Sequence, residues 1–459
     1  MDTLKRVQFG TLAIIVCTTM CAPASAFQKD KARPKKEKKK KGGYALVEAS
    51  GETTYKVTAS ARIKGTLKTP TADGPENVFK LDSTASYEFH ERRMTNDLPG
   101  AMAMRAVRKY KRAESRTSVG DHKTSSKLDP TLSLIIAEGR AAGVLFYNPK
   151  KQLTRESLDL LSSPADPLAI AGMLPTEEVT IGEKWNPDQW VLQMLCDVEA
   201  VAKSKLTCKL VSVSRKQARV TFDGEIEGAS VGAAAMIKVK GEYVCDLDAG
   251  YINRFRVTRT EERSAGTVSP GLDVEVTVTC DRKREKADLP ANSTIADEPT
   301  EQQLQLVYRA PWGIELKHGR EWHVFSDNDR LAVLRMIRDG NLVAQCNVAK
   351  IAPVKPGTHT PERQFMADIQ HSLGDRVAEL KSGGIVQEQP NYLFNAVATG
   401  QSDETKMQWS YYLCAAASGQ QVSMVYSIAQ ADVEKVGKVP ETVARTISFP
   451  ATTRISRGK

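Results

Sequence analysis

From Thr54 to Lys68 apolar and polar side chains alternate almost without a break. Tyr55, Val57, Ala59, Ala61, Ile63 and Leu67 fall on one face, and Lys56, Thr58, Ser60, Arg62, Lys64 and Lys68 on the other. A period of two over this length predicts a long, half-exposed β-strand. Past an Asp73-Gly74-Pro75 turn the pattern returns, with Phe79, Leu81, Ala85, Tyr87 and Phe89 inward and Asp82, Thr84, Ser86, Glu88 and His90 outward. A third strand is predicted over Met104–Glu114; its many Arg and Lys residues suit an antiparallel neighbour facing water.

Residues 153–175 break this rhythm. Thr154 can cap a helix whose Leu158 and Leu161 point inward, and Asp166-Pro167 is an N-cap followed by Pro at the first helical position, with Pro175 as the stop. Ile181-Gly182-Glu183-Lys184-Trp185 then turns the chain back, and Trp185 needs a partner for its indole N–H. Further strands are predicted at Gln189–Val201, Leu206–Val213, Ala218–Glu227, Ala235–Asp246, Tyr251–Arg259 and Leu272–Cys280. About nine long antiparallel strands with one helical insertion point to a curved sheet or half-barrel over 44–287. Its concave side would hold either a ligand, against Tyr55, Val57, Phe79 and Tyr87, or the insertion, through Leu158, Leu161, Leu168 and Leu174.

Residues 281–302 are charged, then rich in Pro, Asn, Ser and Thr, and lack periodicity; the interdomain linker is set at 288–302. A second domain, 303–450, follows with a different texture. Strands are predicted at Leu304–Ala310, Gly313–His318, Ala332–Asp339 and Leu342–Ala349. A helix opens at Thr360-Pro361, carries Phe365, Met366, Ile369, Leu373, Val377 and Leu380 on one face, and closes at Gly383-Gly384. Strands at Tyr392–Gly400, Lys406–Ala415 and Gln421–Ile428 and a short helix near Pro440 complete it, leaving 451–459 as a tail. The fold class is α+β: a large antiparallel β-domain with a helical insertion, then a smaller α+β sandwich.

The net charge of +10 changes this picture only when it is located along the chain. Residues 1–26 read as a secretory signal, with Lys5 and Arg6, an apolar run from Thr11 to Ala22 and the small-residue site Ala24-Ser25-Ala26. Residues 27–43 form a basic arm, and 27–42 hold nine basic against two acidic residues. The folded remainder carries only +2. The expectation is an exported chain in the periplasm, cell envelope or exterior, with no membrane-spanning segment in its mature form. Its Lys29–Lys41 arm could dock on an anionic envelope surface or an envelope protein. Export argues against nucleic acid.

Six cysteines follow the signal: Cys196, Cys208, Cys245, Cys280, Cys346 and Cys414. An even number in an exported chain permits disulfides within each domain; equally, each is a small buried apolar residue. Without a C-x-x-C, neither a redox motif nor a zinc ribbon is suggested.

The search for catalytic chemistry returns little. Gly228-Ala229-Ser230-Val231-Gly232 matches a nucleophile elbow, but Ile237, Val239, Gly241, Tyr243 and Cys245 after it alternate as a strand where the elbow needs a helix. The histidines His90, His122, His318, His323, His359 and His371 lack metal-ligand spacing, and Asp327-Asn328-Asp329 lacks the Gly and later Glu of a calcium loop. Glu177-Glu178 and Glu261-Glu262 are adjacent, so on a strand they face opposite sides. Neither a Walker loop nor a dinucleotide fingerprint occurs, and no cofactor is implied. Arg254, Arg256 and Arg259 with the basic strand Arg105–Arg112 are candidates for a positive sheet face.

The segments LTRESLDLL, LAIAGMLP and EEVTIGEKW from Leu153 onward, with GAS at Gly228–Ser230 and RSAGTVSPGLDVEVTV at Arg263–Val278, resemble a family of uncharacterised secreted proteins from planctomycete bacteria. The resemblance implies an exported β-rich domain and carries over no catalytic residue. From Leu304 to Phe449 the order of elements is similar to the PsbP and Mog1-like α/β/α sandwich, on GIELKHGREWHVF, the Pro361 helix and WSYYLCAAASGQQVSMVYSI. That resemblance implies a binding or assembly module. The expectation is therefore a non-enzymatic binding protein of the envelope. A carrier of a lipid or other apolar ligand is the alternative, and a serine hydrolase using Ser230 the remote one.

Overall fold

The computed structural model describes residues 42–48, 53–70, 75–94, 98, 100–140, 143–230, 232–266, 269–338 and 341–450. Residues 1–26, read above as a signal, the Lys29–Lys41 run and the tail 451–459 lie outside the described residues. The chain forms two compact units that divide between Gln303 and Leu304.

The first unit opens with β1 (Thr54–Thr69), β2 (Asn77–Met94), β3 (Arg105–Val119), β4 (His122–Lys127), β5 (Leu134–Arg140) and β6 (Gly143–Tyr147). The insertion follows: β7 (Leu153–Thr154), α1 (Arg155–Leu161), α2 (Pro167–Ile170), β8 (Lys184–Trp185) and α3 (Gln189–Cys196). Then come β9 (Ala200–Ser204), β10 (Thr207–Ser214), β11 (Gln217–Ser230), β12 (Ala233–Asp246), β13 (Tyr251–Arg263) and β14 (Gly271–Arg284). One antiparallel sheet runs β6-β5-β3-β2-β1-β14-β13-β12-β11-β10-β8, with β4 added to β3 and β9 to β11. It does not close into a barrel.

In this order β1 pairs with both β2 and β14, so two meanders share it. The chain leaves the sheet at one edge, β6, and re-enters it at the other, β8. The helical insertion has to travel between those edges, and it does so across the inner face. Helix α3 touches β6 and also accepts hydrogen bonds from Arg259 of β13 at the carbonyls of Leu195 and Cys196. Six strand spacings separate β6 from β13, roughly 29 Å if the sheet were flat, whereas an eight-residue helix is about 12 Å long. The sheet therefore curls around the insertion.

Local chemistry explains the helices. Thr154 accepts from Ser157 N and caps α1, which buries Leu158, Leu160 and Leu161. Asp166 accepts from Leu168 N ahead of Pro167. Each buried leucine is worth about 1.5–3 kcal/mol of transfer free energy.

Several expectations need correction. Gln189–Val201 is not a strand: Gln189–Cys196 is helix, because Val191, Leu192, Met194, Leu195 and Cys196 are all buried, a clustering that a period of two cannot produce. The strands β5 and β6 went unpredicted because both of their faces are covered, so Ile135, Ile136 and Ala137 run on without alternation. Strand β3 does not simply face water, since Arg105 and Arg108 are buried. Arg254, Arg256 and Arg259 share no face: Arg254 and Arg256 are exposed, while Arg259 points inward, in phase with Val257. The six cysteines are free buried thiols, not disulfides. Cys346 and Cys414, for example, lie on strands separated by a third, on which Tyr426 faces Cys346 and Val422 faces Cys414.

Ahead of the second unit's sheet come a one-turn helix α4 (Glu301–Leu304) and the hairpin β15 (Leu306–Arg309) and β16 (Glu315–His318). The unit continues with β17 (Trp322–Asp327), β18 (Leu331–Arg338), β19 (Asn341–Ile351), α5 (Glu362–Leu373), β20 (Val377–Gln387), β21 (Tyr392–Ser402), β22 (Thr405–Ala415), β23 (Gln421–Ala429), α6 (Val433–Val436) and α7 (Val439–Ala444). Its seven-stranded sheet runs β17-β18-β19-β23-β22-β21-β20. On one face Phe365, Ile369 and Leu373 of α5 pack on Phe394, Trp409 and Leu413; on the other, Val443, Ala444 and the β15–β16 hairpin pack on Trp322, Met336 and Tyr426. The helix stops at Leu373 rather than Gly383, because Gly374 turns the chain at φ +54°. Val377 and Leu380 do join the same apolar cluster, but from β20.

Candidate binding cleft

An open cavity of about 860 Å³ lies in the first unit, where the end of the insertion meets the first described residues. A bridge between Tyr44 and Val179 holds Leu46–Glu48 against the 176–184 turn. Two tryptophans shape the cavity. Trp185, fixed in β8 opposite Cys208, donates its indole N–H to the Met173 carbonyl at 3.0 Å, and Tyr243 donates to the same carbonyl at 3.0 Å. Trp190, in the first turn of α3, donates to Asp188 at 3.2 Å and lies over Gly172, where a Cβ would come within 2.5 Å of the ring. Both rings are half-buried. On the rim, Glu177 and Asp188 are exposed and Glu178 is half-buried, against the exposed Lys184.

A buried ionic network supports this cleft from below. Arg108 binds Asp166 through two hydrogen bonds of 2.6 and 2.7 Å and Glu91 through a third of 2.8 Å. Arg93 reaches Glu91 at 2.9 Å and donates to the Leu168 carbonyl at 3.2 Å. Arg282 lies 4.6 Å from the Tyr55 ring and pairs with Glu48. Burial would raise the Glu91 carboxyl, but Arg93, Arg108 and Arg282 outweigh it and hold the group at about 2. The β-face thus grips the α2 turn and the Glu48 segment with charge-assisted bonds. On the other side of the insertion, Asp197 sits left-handed at φ +57°, and burial pushes its carboxyl up to about 7 despite Arg259 and Arg263.

The sequence candidates fall elsewhere. Tyr55, Val57 and Tyr87 are buried, with Tyr55 against Tyr251 at 4.9 Å, while Phe79 is half-buried and pairs with Leu67, far along β1 from Tyr55. None of the four lines the cleft. Leu158, Leu161 and Leu168 are buried within the insertion, and Leu174 is half-buried at the cleft. Ser230 ends β11 in a strand–turn–strand hairpin and accepts from Arg263 at 3.0 Å, a partner that cannot serve as a base. Asp327-Asn328-Asp329 is the turn between β17 and β18, with Asn328 accepting from Arg330 N and Leu331 N. Among the described residues no group of three His, Cys, Asp or Glu side chains could hold a metal ion.

Trp190, Glu91 and Arg93 went unpredicted as site residues, and Arg108, expected within Arg105–Arg112 to be part of an exposed positive face, is buried. Phase was the available signal: Arg108 falls with Ala106 and Tyr110, and Glu91 with Phe89 and Tyr87, on the apolar side of adjacent strands.

No protein-family model matches the chain, and a search among curated proteins finds no relative. Solved structures give only distant matches. A structure on lipid–protein interactions in lipovitellin is similar at TM-score 0.28 and 10% identity, over 52% of this chain and 26% of that one. This chain thus spans about a quarter of lipovitellin's length. The translocator domain of the autotransporter NalP from Neisseria meningitidis is similar at TM-score 0.13 and 6% identity, over 84% and 90% of the two chains. Pseudomonas aeruginosa OccK7 is similar at TM-score 0.14 and 8% identity, over 82% and 98%. These scores carry no argument about function. Among the described residues no helix is long and apolar enough to cross a membrane.

Proposed function

We propose that this is a non-enzymatic binding protein of the cell envelope or exterior. In this reading the first unit is a half-barrel scaffold that presents the Trp185–Trp190 cleft to an amphipathic, positively charged segment of a partner protein. One observation carries the reading: two half-exposed indole rings flank an open cavity whose rim carries Glu177, Glu178 and Asp188. Aromatic faces attract both apolar and cationic side chains, and the rim carboxylates add to the second. The export pattern at the N-terminus supports the location. The layering of the second unit, with α5 on one face and a helix and hairpin on the other, supports an assembly module of the PsbP kind. The filled inner face argues against the apolar carrier.

Two measurements test this on residues 27–459. Native mass spectrometry should give the bare protein mass, and a retained lipid-sized ligand would move the reading to the carrier. An array of amphipathic peptides flanked by Lys or by Glu should retain the protein on the Lys series alone, with loss in Trp190→Ala and in the Glu177→Gln/Glu178→Gln pair. Equal retention on both series would overturn the cleft assignment.

A further inference from the structure

The surface of β1–β4 that faces away from the insertion is strongly basic, although the folded chain as a whole is nearly neutral. Directly paired residues of an antiparallel sheet point to the same side, so the register defines this face row by row. Lys64, Asp82, Ser118 and Lys123 form one row, and Arg62, Thr84, Arg116 and Ser125 the next. Ser60, Ser86, Glu114 and Lys127 form a third, and Lys80 extends the face beside Thr66. Each row crosses four strands, about 14 Å.

Of the carboxylates on the outer face of these strands, two lie beside cations, and Glu114 accepts from Ser86 at 3.4 Å. Glu88 is shared by Lys56 and Lys111, each at 3.1 Å, and Asp82 lies 3.5 Å from Arg62. Lys64, Lys80, Arg116, Lys123 and Lys127 are exposed and form no ion pair within the described residues. Between Lys80, Arg116 and Lys123 the face dips into a cleft of about 630 Å³, where Thr84, Ser118 and Ser125 supply hydroxyls.

We infer that this face binds a linear acidic glycan, a polymer carrying sulfate or carboxylate groups along its length. Three features select that partner among polyanions. Among the described residues of β1–β4 no Trp, Tyr or Phe points outward, so bases of a single-stranded nucleic acid have nothing to stack on. Apart from Val78 at the start of β2, no large apolar side chain of these strands is exposed to enter a bilayer. The face is a row of strands with no projecting helix to enter the groove of a duplex. What it offers is ammonium and guanidinium groups interleaved with hydroxyls, which suits charged and hydroxyl-bearing sugars. The surface is separate from the Trp185–Trp190 cleft, and its assignment does not depend on that one.

The test uses residues 27–459, with heparin and polygalacturonate as glycans, poly-dT as nucleic acid and phosphatidylglycerol vesicles as membrane. Binding is measured by titration at rising salt. Both glycans should bind at low ionic strength, and the triple variant Lys80→Glu/Arg116→Glu/Lys123→Glu should weaken them on the order of tenfold or more. A control, Lys203→Glu/Lys238→Glu/Lys240→Glu, makes the same charge change on β9 and β12, where Glu225 and Glu227 already pair with Lys238 and Lys203. It should bind nearly as the parent does, and circular dichroism confirms that both variants fold. Equal weakening by the two triples would mean attraction to net charge alone and would overturn the site. Binding of poly-dT or vesicles that is as tight as that of the glycans and equally weakened by the Lys80/Arg116/Lys123 triple would overturn the partner.

Discussion

Arg108 and Asp166 meet through two parallel hydrogen bonds of 2.6 and 2.7 Å, with the Arg108 side chain wholly sealed from solvent. The same carboxylate caps α2 by accepting from Leu168 N at 2.7 Å. One aspartate therefore ties the helical insertion to β3 and starts α2 within that insertion. Removing it leaves the buried guanidinium one carboxylate, Glu91, which it shares with Arg93 and Arg282. Asp166→Ala should cost about 3–5 kcal/mol in denaturant unfolding, and Asp166→Asn, which keeps the cap, somewhat less. The double variant Arg108→Met/Asp166→Leu should be less destabilised than Asp166→Ala alone, because an apolar pair leaves no charge uncompensated. A double variant as unstable as the sum of the singles would contradict this account.

Burial sets a pH dependence that Asp197 makes testable. Its carboxyl rises from an unfolded value near 3.8 to about 7 in the fold, so the folded state holds the proton more tightly across that window. The stability linked to this group is complete below about pH 3.8 and is lost as pH rises through 7. Asp197→Asn stays uncharged and keeps a residue type that tolerates the left-handed backbone. It should raise stability at pH 8 by up to about 4 kcal/mol and leave it nearly unchanged at pH 4. Melting temperatures of parent and variant at the two pH values check this, and parallel curves would remove the titration from the explanation.

Gly172 makes room for Trp190. A methyl group there would approach the indole to 2.5 Å and Val191 to 2.7 Å, so Gly172→Ala should displace the ring and cost about 1–3 kcal/mol. The emission of Trp190 should shift as its cover changes. An unchanged spectrum with unchanged stability would show that the ring is not seated as described.

How far the fold could be read in advance depends on how many faces of each element meet water. β1 and β14 keep one face wet, so Tyr55 to Leu67 and Leu272 to Cys280 alternate and announce themselves. β5 is covered on both faces, and Ile135-Ile136-Ala137 carries no period at all. The caps at Thr154 and Asp166 were legible because they are local chemistry, as was the need of Trp185 for an indole acceptor, though not that the acceptor is the Met173 carbonyl. The Arg108–Asp166 pair was not, since its members are 58 residues apart. Nor was the basic face: a net charge sums over the chain, and only the strand register brings Arg116 beside Ser125 and Lys123 beside Ser118.

The cysteines separate two accounts of the same even number. Export permits disulfides, yet Cys196, Cys208, Cys245, Cys280, Cys346 and Cys414 are each buried and free, and burial pushes the thiols of Cys208, Cys245, Cys280, Cys346 and Cys414 up to about 12. A thiol that is both covered and protonated reacts slowly with disulfide reagents. Ellman's reagent should therefore find almost no reactive thiol in the folded chain 27–459 and all six after denaturation without reductant. The cysteines would then serve as small apolar residues filling the two cores, and Cys280→Ala should cost little more than the cavity it leaves, about 1 kcal/mol. Fewer than six thiols in the denatured chain would reveal a disulfide, and because no two of these cysteines pair here, the strands carrying them would have to be arranged differently.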